Sequence, residues 1–515
     1  MVFFSFLTIS LFLGDGKQPF IDVWWALGIL MMYGFRYYQR GKLDLRPLPR
    51  SVALAWNALI FYYVIRTPFS DSAGYSITAT VRLLEAYLLF VLFYTISSPQ
   101  TIELFAKGLI VVGVVAITAL FVFNISPGLA SFLPLMNLLY ANYGHNHLAD
   151  LLLLIFPFII AQLQHKPSKL SWLLLLFYTV GVIFTFARGA WVILIGYFLF
   201  LWMSNRDSRA NKRPILLIVA GVLIVSLIGI TFYAQRRLPD EPYPKELLSR
   251  QLIKPSVVED KRTKYWRQAL VAISERPWFG SGPGTFLLQS KLFQKEDGEY
   301  SWFAHNSILQ FVAEHGLVGA LLLLFLIVIH GRFGPKRPWT SNQQALVWGL
   351  MLTLVYSLYE FNLDYLVILI LFWTTLGLLI NVNQTHQHAF TRKSILLMLF
   401  LFVFYLSSMV GEVMFYLNNK TTAFMVAPQN TNYAIAMLQD VSQKNLIPTR
   451  MQRSMLDIFH KKNPEVAFEF AGVLEKMGEL NEAEYLYQKA ANLDPQTSLF
   501  YTRYFSFLAR QKSIE

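Results

Sequence analysis

Cysteine is absent from this sequence, and charged residues are scarce. None of the 515 residues is Cys, and only 15% are Asp, Glu, Lys or Arg. Without thiols the chain has no disulfide, no thiolate nucleophile and no cysteine-ligated metal. Soluble domains carry about 25% charged residues, so this composition is a poor fit to a soluble protein.

The sequence contains many long apolar segments. Hydrophobic residues make up 55% of the chain, which contains 43 Phe. We count thirteen apolar segments, near residues 1–14, 19–35, 51–66, 77–97, 103–124, 148–163, 170–187, 189–203, 214–233, 305–331, 343–361, 364–381 and 394–416. Because a spanning helix needs about 20 apolar residues, the sequence predicts an all-α fold, a polytopic transmembrane helical bundle of about 12–13 spans.

The basic residues predict the orientation of these segments. If every segment spans, sixteen Lys and Arg fall on one side, within residues 36–50, 166–169, 206–213, 332–337 and 392–393. Positively charged loops stay in the cytoplasm, so we expect a cytoplasmic N-terminus. The first segment lacks a basic n-region and a cleavage site, so we expect a span there and not a removable signal peptide. This topology accounts for most of the net charge of +13, and nucleic-acid binding is not needed to explain it.

Two polar portions are expected on the external face. The first is a loop, residues 234–304, within a transmembrane domain of residues 1–416. The second is a C-terminal domain of residues 417–515. We expect this domain to recruit a partner and to be dispensable for the chemistry, because it has no acid–base cluster like that of the loop.

The C-terminal domain contains the pattern of a helix–turn–helix repeat. Between Pro464 and Pro495, small and large apolar residues alternate at helical spacing on either side of Gly478. The spacing predicts buried positions at Ala467, Phe470, Ala471, Leu474, Ala483, Tyr487 and Ala490. This pattern is typical of a tetratricopeptide repeat, and the alternative is an ordinary helical hairpin.

The loop and the residues after it carry most of the candidate chemistry. Residues 260–270 form a basic, amphipathic stretch that includes Arg262 and Arg267. His305 and Asn306 follow at the mouth of the tenth apolar segment. A histidine at a membrane interface is either a hydrogen-bonded anchor or a catalyst, and the position of His305 directly after the loop favours catalysis.

A glycine-rich turn at residues 280–284, with the sequence GSGPG, lies between these two stretches. Most such runs are simply turns. No strand precedes this one, so a nucleotide-binding fold is a poor fit. The functional alternative is a nest of backbone N–H groups that faces an anion.

Two further arginines lie at or inside apolar segments. Arg188, between the seventh and eighth segments, is either a snorkelling anchor or a functional cation. Arg82 and Glu85 lie inside the fourth segment at i and i+3. They form a mutually neutralising pair or line a polar cavity, and the sequence leaves both alternatives open.

The remaining ionisable residues are expected to be structural. Glu360 and Asp364 flank a turn between the eleventh and twelfth segments, where we expect solvated carboxylates. His145 and His147 are spaced at i and i+2 without a convincing third ligand nearby. We therefore expect neither a metal nor a cofactor.

Four stretches of the sequence resemble one family in their order, spacing and sidedness. They are GHNHLADLLL at 144–153, ARGAW at 187–191, RTKYWRQALVAISERPWFGSGPGTF at 262–286 and HNSILQFVAEHGLVGALLLL at 305–324. Together they resemble the O-antigen ligase and O-antigen polymerase superfamily of bacterial envelope enzymes. The C-terminal domain goes beyond the minimal pattern of that superfamily.

The resemblance implies an enzyme of the bacterial cytoplasmic (inner) membrane with an extracytoplasmic C-terminal domain. It would transfer or polymerise undecaprenyl-pyrophosphate-linked glycan at the outer face, with inversion and without a metal. His305 would be the general base, and Arg188 and Arg262 would bind the pyrophosphate, with Arg267 as the alternative to Arg262. We add Arg82 and Asn306 as candidate substrate-binding residues.

The expected partners are the lipid-linked donor, a glycan, lipid or protein acceptor, the bilayer, and a protein bound by the C-terminal domain. One alternative is a protein O-oligosaccharyltransferase, for which that domain would bind the acceptor protein. Another is a flippase or transporter of lipid-linked glycan. A transporter is expected to contain internal repeats and midplane charges in both halves. The sequence shows no such repeats, which favours the enzyme.

Overall fold

A computed structural model describes most of the chain. The described residues are 1–11, 19–41, 44–125, 145–165, 167–185, 187–204, 221, 261–335, 338–380, 388–389 and 392–512. The predicted segment 214–233, apart from Gly221, and the first part of the predicted loop, 234–260, lie outside these residues.

The described residues are mainly helical, which confirms the predicted fold class at that level. The helices are α1 (Val2–Ser10), α2 (Pro19–Arg40), α3 (Arg50–Arg66), α4 (Ala73–Ile96), α5 (Pro99–Ile125), α6 (His145–His165), α7 (Lys169–Phe184), α8 (Arg188–Ser204), α9 (Lys261–Glu275), α10 (Phe286–Phe293), α11 (Ser307–Arg332), α12 (Ser341–Ser357), α13 (Leu366–Leu379), α14 (Arg392–Tyr416), α15 (Lys420–Val426), α16 (Thr431–Gln443), α17 (Arg450–Phe459), α18 (Pro464–Lys476), α19 (Leu480–Leu493) and α20 (Ser498–Lys512). Short 3₁₀ turns lie at Thr67–Phe69 and Asn362–Asp364.

Five stretches in the described part of the chain are helical, long and apolar enough to cross a membrane. They are Arg50–Phe69, Ala73–Ile96, Pro99–Phe121, Asn146–Gln164 and Ser307–Arg332. Helices suit this environment because they satisfy their own backbone hydrogen bonds. Four more apolar helices are shorter, with 10–17 residues each. The larger number of spans expected from the sequence stays a prediction.

Polar side chains fix where two of the apolar helices begin. At the start of α7, Ser168 and Ser171 each accept a hydrogen bond from the other's backbone amide. Thr340 and Gln343 form the same reciprocal arrangement at the start of α12. Each pair satisfies two amides that a helix N-terminus otherwise leaves without partners.

The chain divides into two compact units. The first comprises residues 1–47, 88–260 and 332–389. Within it, α12 packs closely on α6, and a Cβ added at Gly349 would lie 2.6 Å from the Leu154 carbonyl oxygen. Glycine is therefore required for this close approach. A two-residue antiparallel pairing joins β1 (Asp44–Leu45) to β2 (His388–Ala389) in the same unit.

The second unit comprises residues 48–87, 261–331 and 390–515. Its last part, α15 to α20, is called here the C-terminal helices. Helices α18 and α19 are joined at Gly478, whose φ of 80° suits glycine. All seven positions predicted to be buried are buried: Ala467, Phe470, Ala471, Leu474, Ala483, Tyr487 and Ala490. Their assignment to a tetratricopeptide repeat stays a prediction.

Candidate functional site

The backbone and ring of His305 are held by helix α9. The His305 φ is 52°, in the left-handed region that non-glycine residues seldom adopt. Its ring stacks on Tyr265, with centroids 5.6 Å apart and an interplanar angle of 21°. The Trp266 indole Nε1 donates a hydrogen bond to the His305 carbonyl oxygen at 3.2 Å. Two neighbouring side chains of α9 therefore set the position of this half-buried imidazole.

The two candidate arginines of α9 lie in different environments. Arg262 precedes Tyr265 and Trp266 by three and four residues, so the three side chains share one face of the helix. Arg262 is half-buried. Arg267 instead forms an ion pair in which its Nη2 lies 3.3 Å from Oε2 of Glu299. The neighbouring Lys264 Nζ is 3.8 Å from the other Glu299 oxygen.

Glu299 is charged in this arrangement. Burial by itself would raise the pKa of this carboxyl, but the Lys295 amide and the Arg267 and Lys264 cations hold its pKa below the usual range. The guanidinium of Arg267 is therefore paired with a carboxylate of the protein itself.

Asn306 caps a helix. Its side-chain Oδ1 accepts hydrogen bonds from the amides of Ile308 at 3.1 Å and Leu309 at 2.9 Å. This is the usual role of Asn before the first turn of a helix, here α11. The amide oxygen of Asn306 is therefore used by the backbone directly after His305.

The amides of the glycine-rich turn donate to groups of the protein itself. Those of Gly280, Ser281 and Gly282 donate to the backbone carbonyl oxygens of Arg276, Ala313 and Glu314. The buried Glu314 carboxylate accepts hydrogen bonds from the amides of Gly284 at 2.8 Å and Phe286 at 3.1 Å. One of these two amides, that of Phe286, lies at the start of α10. The hypothesis that the turn faces a substrate anion is corrected in this respect. An acidic residue inside an apolar span was the sequence signal for this role.

The segment just before this turn contacts a break in α11. Gly316 has a φ of 63°, which interrupts the helix. The amides of Leu317 and Val318 donate instead to the carbonyl oxygens of Pro277 and Trp278, at 2.8 and 3.1 Å. Backbone groups freed by the break are therefore satisfied by the segment just before the glycine-rich turn.

The second unit thus brings together four of the predicted site residues, Arg262, Arg267, His305 and Asn306. Arg82 also belongs to this unit and is half-buried within α4. Its neighbour Glu85 is completely buried.

Arg188 belongs to the first unit. It is exposed and is the first residue of α8. The residue after it, Gly189, lies against the rings of Tyr356 and Tyr359, and a Cβ there would be 3.0 Å from Tyr356. The absence of a side chain at Gly189 lets the start of α8 approach the end of α12 closely.

The expectation of a solvated carboxylate at Glu360 is wrong. Glu360 is fully buried, and the Asn146 amide Nδ2 donates a hydrogen bond to it at 2.7 Å. Asn146 in turn lies 3.3 Å from the hydroxyl of Tyr356. A buried carboxylate requires such a partner, and the helix that supplies it is distant in sequence.

His147 contacts other side chains of the protein. Its Nδ1 lies 3.0 Å from Oδ1 of Asn362, and its ring stacks on Tyr365 with centroids 4.7 Å apart. The His145 side chain lies outside the described residues. Among the side chains that the structure describes, no group of three His, Cys, Asp or Glu could hold a metal ion.

Sequence reasoning missed a buried carboxylate at Asp71. Arg276 Nη1 and Lys462 Nζ lie 2.6 and 2.7 Å from its Oδ1, and Gln289 donates to its other oxygen. No local pattern marks this residue, because its partners are more than 200 positions away in sequence.

Residues 173–324 match the family model of the O-antigen ligases. The matched region is less than a third of the chain and contains Arg188, Arg262, Arg267, His305 and Asn306, whereas Arg82 lies outside it. No curated protein matches the chain. Together with the helices able to cross a membrane, the match supports a membrane enzyme that transfers lipid-linked glycan in the manner of the O-antigen ligases.

Proposed function

We propose that the protein transfers or polymerises undecaprenyl-pyrophosphate-linked glycan at the outer face of the bacterial cytoplasmic membrane, with inversion and without a metal. The observation that carries the proposal is the stacking of His305 on Tyr265, with Arg262 one turn earlier on α9. All three residues lie within the region that matches the O-antigen ligases.

His305 is the general base of the proposed reaction. The oxygen of an acceptor hydroxyl attacks the anomeric carbon while its proton passes to an imidazole nitrogen. The bond between that carbon and the pyrophosphate oxygen breaks, and undecaprenyl pyrophosphate leaves. Histidine suits this step because its usual pKa lies near the working pH.

Arg262 and Arg188 bind the pyrophosphate in this proposal. The leaving group gathers negative charge, which a guanidinium meets with two parallel hydrogen bonds. We keep Arg262 as the phosphate ligand on α9 and Arg267, which is paired with Glu299, as the alternative. We leave Arg82 and Asn306 as secondary binding candidates, although helix capping occupies the Asn306 oxygen.

In this proposal the loop and the C-terminal domain are extracytoplasmic, and the N-terminus is in the cytoplasm. This orientation is supported by the basic residues concentrated in alternate loops. The acceptor is any glycan, lipid or protein that presents a hydroxyl at that face.

The proposal is tested with purified protein, undecaprenyl-pyrophosphate oligosaccharide and candidate acceptors. We expect His305→Ala to lower turnover by about 10²–10⁴ while the donor still binds, because only the proton-transfer step is lost. Arg262→Lys should also be impaired, since an ammonium does not reproduce the planar fork of a guanidinium. Product is measured by mass spectrometry and donor binding by a separate filter assay.

Lys261→Met is the matched control, because Lys261 is an exposed cation beside Arg262, and it should leave turnover unchanged. Excess EDTA should also leave the wild-type rate unchanged. A normal rate in His305→Ala would refute the general base, and EDTA-sensitive transfer would refute the metal-independent mechanism.

A further inference from the structure

The C-terminal helices bury polar contacts against α10. Gln294, just after α10, donates from Nε2 to Oδ1 of Asp494 at 2.6 Å, and both side chains are buried. Lys291 of α10 forms an ion pair with Glu465, and the Lys291 side chain is only 4% exposed. Burying these groups is costly unless each has a partner, so the contact fixes α10 in one position.

Gln294 connects this contact to the residues that hold α9. Its Oε1 accepts a hydrogen bond from the backbone amide of Glu299 at 3.1 Å. The Glu299 carboxylate pairs with Arg267 of α9, and the Glu299 carbonyl oxygen accepts from Gln268 of α9 at 3.0 Å. Gln294 thus joins the C-terminal helices to Glu299, the residue that contacts α9 through Arg267 and Gln268.

A second contact links α10 itself to α9. The Ser290 hydroxyl donates to Oε1 of Gln268 at 2.5 Å and accepts from the Ser301 amide at 2.8 Å. Gln268 is completely buried. Tyr265 and Trp266 on the same helix hold His305. We therefore expect a displacement of α10 to move α9 and, with it, the imidazole.

The C-terminal helices are also anchored at a separate place. Lys462 pairs with the buried Asp71, which Arg276 at the end of α9 also contacts. The Ser72 hydroxyl donates to the Phe459 carbonyl oxygen at 2.8 Å. The C-terminal helices are therefore also linked, through Asp71, to Arg276, the residue that directly follows α9.

We propose that Gln294 and Asp494 are positioning residues, through which the C-terminal helices hold α9 and thereby orient His305 for transfer. This inference rests on the proposed function. It departs from the expectation that the C-terminal domain only recruits a partner. A recruiting domain alters the KM for the acceptor, whereas a positioning domain alters kcat.

The test measures kcat and acceptor KM in full-length Gln294→Met and Asp494→Leu. Gln294→Met is close in volume, Asp494→Leu keeps the branched shape of the side chain, and both remove the hydrogen bond. We expect kcat to fall by between about tenfold and 10²-fold in each, because small misplacements of catalytic groups have effects of this size. The acceptor KM should stay within about twofold of the wild type, because a positioning residue does not bind the acceptor.

Three comparisons separate positioning from misfolding. Asp494→Asn keeps the Oδ1 acceptor and should restore kcat close to the wild-type value. The double variant Gln294→Met with Asp494→Leu should be no slower than Gln294→Met, because Asp494 acts on α9 through its bond with Gln294, which the first change already removes. Gln439→Met removes an exposed hydrogen bond to Glu469 within the C-terminal helices and should leave kcat unchanged.

Some outcomes would overturn the proposal. If only Gln294→Met is slow, the effect belongs to its bond with Glu299, and the C-terminal helices have no part in it. A raised KM with normal kcat would restore the recruiting role. If His305→Ala is active, the proposed function fails, whereas an inactive His305→Ala with a normal Gln294→Met refutes positioning alone.

Discussion

The segment from α9 to Asn306 and the C-terminal helices are stabilised by different kinds of side chain. The interior of the first contains polar residues, among them Gln268, Gln289, Ser290 and Gln294, all at most 3% exposed. The interior of the second is largely apolar, a cluster that includes Ala434, Met437, Leu438, Phe470 and Leu474. Two parts of the same unit therefore differ in how many polar side chains they bury.

Polar and apolar interiors have different effects on a protein: the first restricts geometry, and the second mainly contributes stability. A hydrogen bond has a preferred length and direction, so a buried polar network accepts few arrangements. Apolar side chains of similar volume can replace one another with small changes in stability. We infer that the polar interior fixes the geometry around His305, while the apolar interior keeps the C-terminal helices folded.

The largest effect on stability is expected in the apolar interior. Leu474 is completely buried, and Leu474→Ala should lower the free energy of unfolding by about 2–5 kcal/mol. Unfolding of the purified protein is followed in detergent by denaturant titration. At a temperature where the variant is folded, its kcat should match the wild type. A large loss of kcat there would show that the apolar interior also determines the geometry around His305.

His460 is one of the few buried polar residues of the C-terminal helices. Its Nε2 lies 2.7 Å from the Pro428 carbonyl oxygen, and burial lowers its pKa to about 4 although this hydrogen bond opposes the shift. The unfolded chain takes up the proton near pH 6.5, before the folded chain does. Stability contributed by neutral His460 is therefore present above about pH 6.5 and lost as the pH falls towards 4.

The expected loss at pH 4 is on the order of 3 kcal/mol. It is measured as the change in the thermal midpoint of the protein between about pH 7 and pH 4, the range over which the unfolded chain binds a proton at His460 that the folded chain does not. His460→Gln keeps an N–H donor for Pro428 but does not titrate, so its midpoint should fall less across the same range. Parallel profiles for the two proteins would show that another group is responsible.

A smaller effect on stability, but a larger one on rate, is expected in the polar interior. Gln268→Met retains volume but leaves the Ser290 hydroxyl and the Glu299 carbonyl oxygen without this partner. We expect a loss of about 1–3 kcal/mol in the free energy of unfolding, with kcat lowered at least tenfold by the displaced α9. Ser274→Ala, an exposed change on the same helix, is the control. Normal kcat in Gln268→Met would show that the network does not position His305.

The apolar periodicity of the C-terminal helices could be predicted because burial follows helical spacing within a few residues. The polar contacts could not be predicted in the same way. Gln294 and Asp494 are 200 positions apart, and Asp71 and Lys462 are 391 apart. Polar residues have no fixed spacing that reveals which distant group they contact.

The helical fold class, apolar segments long enough to span, the buried face of α18 and α19, and the candidates His305 and Arg262 could all be predicted from the sequence. Each depends on local composition or spacing. Three features were visible only after folding: Glu314 accepts from the Gly284 amide, Arg267 is paired with Glu299, and the C-terminal helices contact α10. These depend on which groups meet after folding, because a buried charge or amide is stable only beside a partner that the distant chain supplies.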